Sequence, residues 1–201
     1  WAGLLSGLSG VRRPSWLGDR QNCFKLGPCS RSMMVPGILP VEPQDVPVPQ
    51  RHLELVHAAL TLTDKPIKGS VLSEQAARDS VDMTRIVFGE EFVDNNVVMA
   101  ALLNCNTPLV WDETMLQSLR VYAAANQPCL LSPFVLAGAS TPASPQGGVA
   151  LLIAESLAGM AYSQIIRRGA PMVLGVAIMG VSMKTGAPMM GSPEPGLMNL
   201  L

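Results

Sequence analysis

Asn104, Cys105 and Asn106 follow directly on the apolar run Val97 to Leu103. Two amides at the end of a buried strand can hold a small polar ligand, or they can close a turn before Pro108. Glu42 follows the apolar stretch Gly37 to Val41 and reads either as a charged group at the mouth of a cavity or as a solvated loop acid. Ser132 lies in the run Cys129 to Phe134, where a hydroxyl either meets a ligand or satisfies backbone. Glu194 belongs to Gly191-Ser-Pro-Glu194 and either faces a pocket or caps a helix starting there. Glu42, Asn104, Asn106, Ser132 and Glu194 are therefore the candidate substrate-binding residues. Glu155 sits inside a long apolar stretch, and a buried acid needs a partner, so a structural salt bridge is expected there rather than catalysis. His52 and His57 are not spaced as an i, i+4 ligand pair and read as structural or exposed. Cys23, Cys29, Cys105 and Cys129 match no zinc spacing and form no dense disulfide framework. No metal set and no catalytic residue is assigned from these patterns.

The elements that must position these residues alternate along the chain. Helices are expected over about Pro49 to Leu62, Glu74 to Phe88, Asp112 to Ala125 and from Gly148 to Arg168. Leu53, Val56, Ala59 and Leu60 share one face of the first of these. Ser73 and Asp112 are good N-caps, Gly89 a good helix terminator, and Arg167 and Arg168 suit a helix C-terminus. Short apolar runs at Gly37 to Val41, Pro66 to Leu72, Val97 to Leu103, Cys129 to Phe134 and Pro171 to Ala177 read as strands. Strands alternating with helices imply βαβ units on a parallel sheet. The last strand empties into a glycine-, methionine- and proline-rich stretch up to Gly196, read as a loop lining a pocket. The fold class is α/β: a partial TIM (β/α)8 barrel of about five β/α units, against about 250 residues for a complete barrel. A doubly wound sheet is the structural rival, but no glycine-rich dinucleotide fingerprint is present. Residues 1–36 read as a partly helical lead-in, and 37–201 as an incomplete barrel truncated at its C-terminus.

Composition narrows the function classes. Charged residues make up 14% and hydrophobic ones 48% of the 201 residues, which suits many buried strands. The net charge of −1 and the lack of a basic run exclude an electrostatic nucleic-acid footprint. Val149 to Ile166 is apolar enough to suggest a membrane span, but a carboxylate at its middle costs roughly 2.5–3.5 kcal/mol on insertion scales, so a buried helix is expected. With no secretory signal in WAGLLSGLSGVRR, a cytoplasmic location is expected. The chain starts at Trp1 and stops at Leu201 within an expected helix start, and reads as a fragment.

A series of short motifs then points to one family. Gly37-Ile-Leu-Pro-Val-Glu-Pro43, Leu60-Thr-Leu-Thr-Asp-Lys-Pro66, Asp82-Met-Thr-Arg-Ile-Val-Phe-Gly89 and Asn104-Cys-Asn-Thr-Pro-Leu109 come first. Gln127-Pro128, Ser132-Pro-Phe-Val-Leu-Ala-Gly138, Ala154-Glu-Ser-Leu-Ala-Gly159, Arg168-Gly-Ala-Pro171, Met183-Lys-Thr-Gly-Ala-Pro188 and Gly191-Ser-Pro-Glu194 follow in order. In register, they resemble the trimethylamine:corrinoid methyltransferase (MttB-like) family. The resemblance implies a TIM barrel that moves a methyl group from a methylated amine to the cobalt of a corrinoid. It implies that the corrinoid is carried by a separate partner protein docking over the barrel mouth. Founding members use pyrrolysine, at a position shortly after the GSPE-like motif and so beyond Leu201; relatives without it include some acting on glycine betaine. The expected partners are a corrinoid protein and a small methylated amine, with homo-oligomerisation possible. Two alternatives stay open: a non-catalytic truncated barrel that self-associates through apolar edges, and an unrelated TIM-barrel enzyme.

Overall fold

A computed structural model describes residues 3–5, 12–29, 42–142, 144–189 and 193–198. The chain divides into two compact units, 1–100 and 101–201. The expected strand Gly37 to Val41 lies outside the described residues.

The first unit opens with strands β1 (Gly3–Leu5) and β2 (Arg12–Pro14), paired antiparallel. Helix α1 (Leu17–Leu26) is anchored at its start by Asp19, whose carboxylate accepts the Trp16 N–H at 2.9 Å and two Arg13 bonds at 2.7 Å. Helix α2 (Val48–Leu62) begins with Pro49 in its first turn, where no helical acceptor is lost. It buries Val56, Ala58 and Ala59, whereas Leu53, expected on the same inner face, is 38% exposed. Strand β3 (Ile67–Lys68) leads to helix α3 (Glu74–Phe88), capped by the Ser73 hydroxyl accepting from the Ala76 N–H at 3.1 Å. Gly89 ends α3 at φ +89°, a conformation that favours glycine. The short helix α4 (Glu90–Asn95) follows, at a place where no apolar period announces it. Strand β4 (Met99–Leu103) crosses the unit boundary, and its first two residues pair in parallel with β3. Ser80 and Thr84 are fully buried on α3 because each hydroxyl donates to the carbonyl four residues earlier, at 2.7 and 2.8 Å. His52 meets Asp79 at 2.7 Å, a structural link between α2 and α3.

In the second unit the last residues of β4 pair in parallel with β5 (Cys129–Leu131), which pairs in parallel with β7 (Met172–Leu174). Helix α5 (Glu113–Ala124) connects β4 to β5, and helix α6 (Pro145–Ile166) leads towards β7. Strand β6 (Phe134–Ala137) pairs in parallel with β8 (Ala177–Val181), and β9 (Pro188–Met189) closes antiparallel on β8. Helix α7 (Pro193–Met198) packs against α6 and β8. Val135, Leu152, Ile178 and Met198 form one core cluster there. Ala101, Leu103, Cys129 and Leu131 are fully buried, while Leu102 and Leu130, in register between them, are only partly covered. Alternation on a pleated strand thus gives a covered face and a more open one.

Several expected bounds change. The run Cys129 to Phe134 is not one strand: Pro133 has no N–H to extend the ladder, and the chain restarts as β6. The run Pro171 to Ala177 breaks at the same level, at Gly175 and Val176, and restarts as β8. The stretch read as a pocket-lining loop therefore carries β8, a turn at Gly186 (φ +69°) and β9. The expected loop to Gly148 is shorter, because Ser144 caps α6 and Pro145 starts it. That helix is long and apolar enough to cross a bilayer; here it packs on α5, β5, β6 and α7, with Glu155, Ser156 and Ser163 buried.

Candidate functional site

The second unit gathers polar residues just past the ends of β4 and β5. Asn104 is the first residue after β4; with its amide nitrogen turned towards the strand, it donates to the carbonyl of Ser132 and, at 3.3 Å, to that of Leu103. Ser132 is the first residue after β5, and its N–H donates to the Leu103 carbonyl at 2.9 Å. Two of the five candidates thus meet at adjacent strand ends. Asn106 stands two residues further along the same loop. Its backbone closes a bridge with Val110 at 2.7 and 3.2 Å, and its amide donates to Asp112 at 3.2 Å. Asp112 also caps α5, accepting from the Met115 N–H at 2.8 Å, so the loop is tied to the helix that follows.

The loop is held from beneath by Glu155 of α6, which is 1% exposed. One carboxylate oxygen accepts from the Cys105 thiol and the Thr107 hydroxyl, each at 2.9 Å, and the other from the Leu109 N–H at 2.7 Å. The Glu155 backbone carbonyl accepts from the Trp111 indole N–H at 3.1 Å. Leu109 has φ +60°, a left-handed conformation that a branched side chain adopts at a cost of roughly 1–2 kcal/mol. Its bond to the carboxylate offsets part of that cost. The expected salt bridge at Glu155 is corrected: among the described residues its side chain has no ion pair, only these three donors. The physical reason is that a tight loop supplies enough N–H, O–H and S–H groups to satisfy both oxygens without a cation.

The other candidates are placed differently. Glu42 lies in the first unit, where its carboxylate meets Arg51 at 3.4 Å and its backbone carbonyl accepts from Ser15 and Gln44. Glu194 is the second residue of α7, and its side chain lies outside the described residues. Sequence reasoning missed Thr107, Leu109 and the Glu155 bond to Cys105. The signal available was the motif Asn104-Cys-Asn-Thr-Pro-Leu109 itself, which places a thiol, a hydroxyl and side-chain amides within one short segment.

Both buried thiols of this unit are kept protonated. Burial, and then the hydrogen bond to Glu155, push the Cys105 thiol up to about 12; burial alone pushes Cys129 up to about 12. A thiol whose folded value is raised contributes stability in full below its unfolded value of about 8.5, and loses that contribution as pH rises towards the folded value. The melting temperature is therefore expected to fall between about pH 9 and pH 12, more steeply than in a Cys105→Ala, Cys129→Ala double variant. Thiol titration with Ellman's reagent at pH 8 should label the exposed Cys29 while Cys105 and Cys129 stay unlabelled until the protein is unfolded.

Gly175, the first residue after β7, packs against Ser132. A Cβ on Gly175 would lie 2.8 Å from the Ser132 Cβ, 3.1 Å from its Oγ and 3.2 Å from the Leu131 carbonyl oxygen. The Gly175 N–H also donates to that carbonyl at 2.7 Å, so the backbone has little room to move apart. Gly175→Ala is expected to displace Ser132 and to cost about 1–3 kcal/mol of overpacking, read as a fall in melting temperature of several degrees.

Comparison with known proteins extends this geometry. A family model described as trimethylamine methyltransferase (MTTB) matches residues 4–201. The chain is also 37% identical, over 191 residues, to a glycine betaine methyltransferase of Desulfitobacterium hafniense (strain Y51). That match covers 94% of this chain and 40% of the relative's length.

Proposed function

The chain belongs to the trimethylamine methyltransferase (MTTB) family, and from that premise we propose that it is part of a corrinoid-dependent methyltransferase acting on a methylated or quaternary amine. In this reading the donor is of the trimethylamine or glycine betaine type, and the acceptor is the cobalt of a corrinoid carried by a partner protein. The observation that carries it is the meeting of Asn104 and Ser132 at the C-terminal ends of two parallel strands. In β/α barrels that is the end on which active sites are built. The parallel pairs β3–β4, β4–β5, β5–β7 and β6–β8 support a partial TIM barrel. On this reading residues 1–36 are a lead-in and 37–201 an incomplete barrel, the enzyme is cytoplasmic, and copies of it associate.

The residues present fit such a division of labour. When bound, the corrinoid supplies the nucleophile that takes the methyl group, so this chain need not carry one. Asn104, Asn106 and Ser132 would bind and orient the amine, with Leu102 and Leu130 offering a partly open apolar surface for its methyl groups. Holding the carbon–nitrogen bond in line for displacement is worth several orders of magnitude in rate. Cys105 and Cys129, kept as thiols, do not compete for the methyl group as thiolates. Glu42 and Glu194 remain candidate substrate residues from elsewhere in the chain.

The test uses the intact parent protein, its reduced corrinoid protein, and trimethylamine and glycine betaine in turn. Mass spectrometry should find the donor one methyl group lighter, only when both proteins are present. Failure to demethylate either donor, or demethylation without the corrinoid protein, contradicts the reading.

A further inference from the structure

Glu155 has a property that holding a loop does not require. Its carboxylate is buried, is engaged by three side-chain and backbone donors, and has no counter-ion among the described residues. The three donors that occupy it are neutral, so they spread the charge without cancelling it. Those donors belong to residues 105, 107 and 109, the segment that continues directly from Asn104 at the end of β4. A charge in a poorly polarisable interior is screened far less than one in water. Its field therefore reaches the end of β4, where Asn104 adjoins its partner Cys105.

We infer that Glu155 is the negative pole of the donor site: it favours a cationic nitrogen over a neutral centre of the same shape without touching the donor. It is a positioning residue and acts through the loop it holds. The ligand class it selects is a permanently charged or protonated alkylammonium. This rests on the proposal that the ends of β4 and β5 receive a methylated amine. The conformation of Leu109 fits the same role, because the left-handed turn is joined to the carboxylate through the Leu109 N–H.

The experiment measures binding of glycine betaine and of its neutral-centred isostere 3,3-dimethylbutanoate to the intact parent protein by calorimetry. Both carry the same carboxylate, so their affinity ratio reports the charge on the central atom alone. Wild type should prefer betaine at least tenfold. Glu155→Gln keeps the side-chain shape and should lower that ratio about tenfold. Leu109→Lys, at a position 67% exposed, leaves the side chain of Glu155 in place and adds a compensating cation; it should lower the ratio severalfold, and it serves as the second variant if Glu155→Gln does not fold. A purely structural Glu155 would weaken both ligands equally and leave the ratio unchanged. If wild type prefers betaine and the folded variants keep the full preference, this inference is overturned and the donor reading stands. If wild type binds neither ligand, the donor reading falls and the inference with it.

Discussion

Replacing Glu155 by leucine is expected to lower stability by about 3 kcal/mol, a fall in melting temperature of roughly 6–12 °C for a protein of this size. Leucine fills most of the volume, so the loss comes from hydrogen bonding rather than from a cavity. The Cys105 thiol, 4% exposed, would keep its burial and lose its acceptor. A buried donor left without a partner costs about 1–3 kcal/mol. Thr107 and Leu109 are more accessible and can turn to water, so they contribute less. Leu109 would also lose the bond that offsets its left-handed backbone, and the segment from Asn106 to Val110 should relax. Hydrogen exchange is expected to quicken in residues 105–111 and to stay as in wild type in α3, which belongs to the other unit. A melting temperature unchanged within two degrees would show that the carboxylate is dispensable.

Gly159→Val is the other substitution expected to have a large effect. Glycine inside a helix costs roughly 0.5–1 kcal/mol relative to alanine, so a larger residue starts with a gain. Packing reverses it. A Cβ at Gly159 would lie 2.7 Å from the Trp111 Cζ2 and 2.8 Å from the Leu131 Cδ1, with a second ring carbon of Trp111 at 3.1 Å. Trp111 cannot swing aside without breaking its indole bond to the Glu155 carbonyl. Leu131 is fully buried on the covered face of β5. Overpacking costs about 1–3 kcal/mol, and the branched methyls of valine place the expected loss near the upper end. Thermal or urea unfolding should show it, and the Trp111 fluorescence should shift as the ring is displaced. A valine variant as stable as wild type would mean that α6 and β5 pack less tightly than described.

These contacts explain which parts of the molecule could be read in the sequence. Ser73 and Asp112 announce their helices because a short polar side chain before an apolar period has few other uses, and both cap as expected. The order of β4, α5, β5, α6 and β7 is legible because each apolar run is bounded by such signals. The breaks between β5 and β6 and between β7 and β8 were harder to see. Both halves are apolar on either side of the break, so periodicity is silent; only Pro133 and Gly175 mark the place. The hairpin of β8 and β9 was hidden by glycine, which serves loops and turns alike.

The candidate site was legible in part for a similar reason. Asn104 could be singled out because it ends an apolar run; Ser132 was read inside one, and it is the break after β5 that makes it a strand end, which parallel register brings against Asn104. The partners of Glu155 lie 46 to 50 residues away along the chain, beyond any local pattern. A buried acid surrounded by apolar neighbours suggests a distant cation, and here the neutral donors of one tight loop take that place. Glu42 shows the converse, since an acid that looked suited to a cavity mouth is engaged by Arg51 of its own unit.

The most direct test of the whole account is a crystal structure of the intact parent protein with a methylammonium ligand such as glycine betaine. The ammonium group is expected just past the C-terminal ends of β4 and β5, against Asn104 and Ser132, with the Glu155 loop unchanged behind it. A ligand seated at the opposite ends of those strands, or away from this unit altogether, would contradict it.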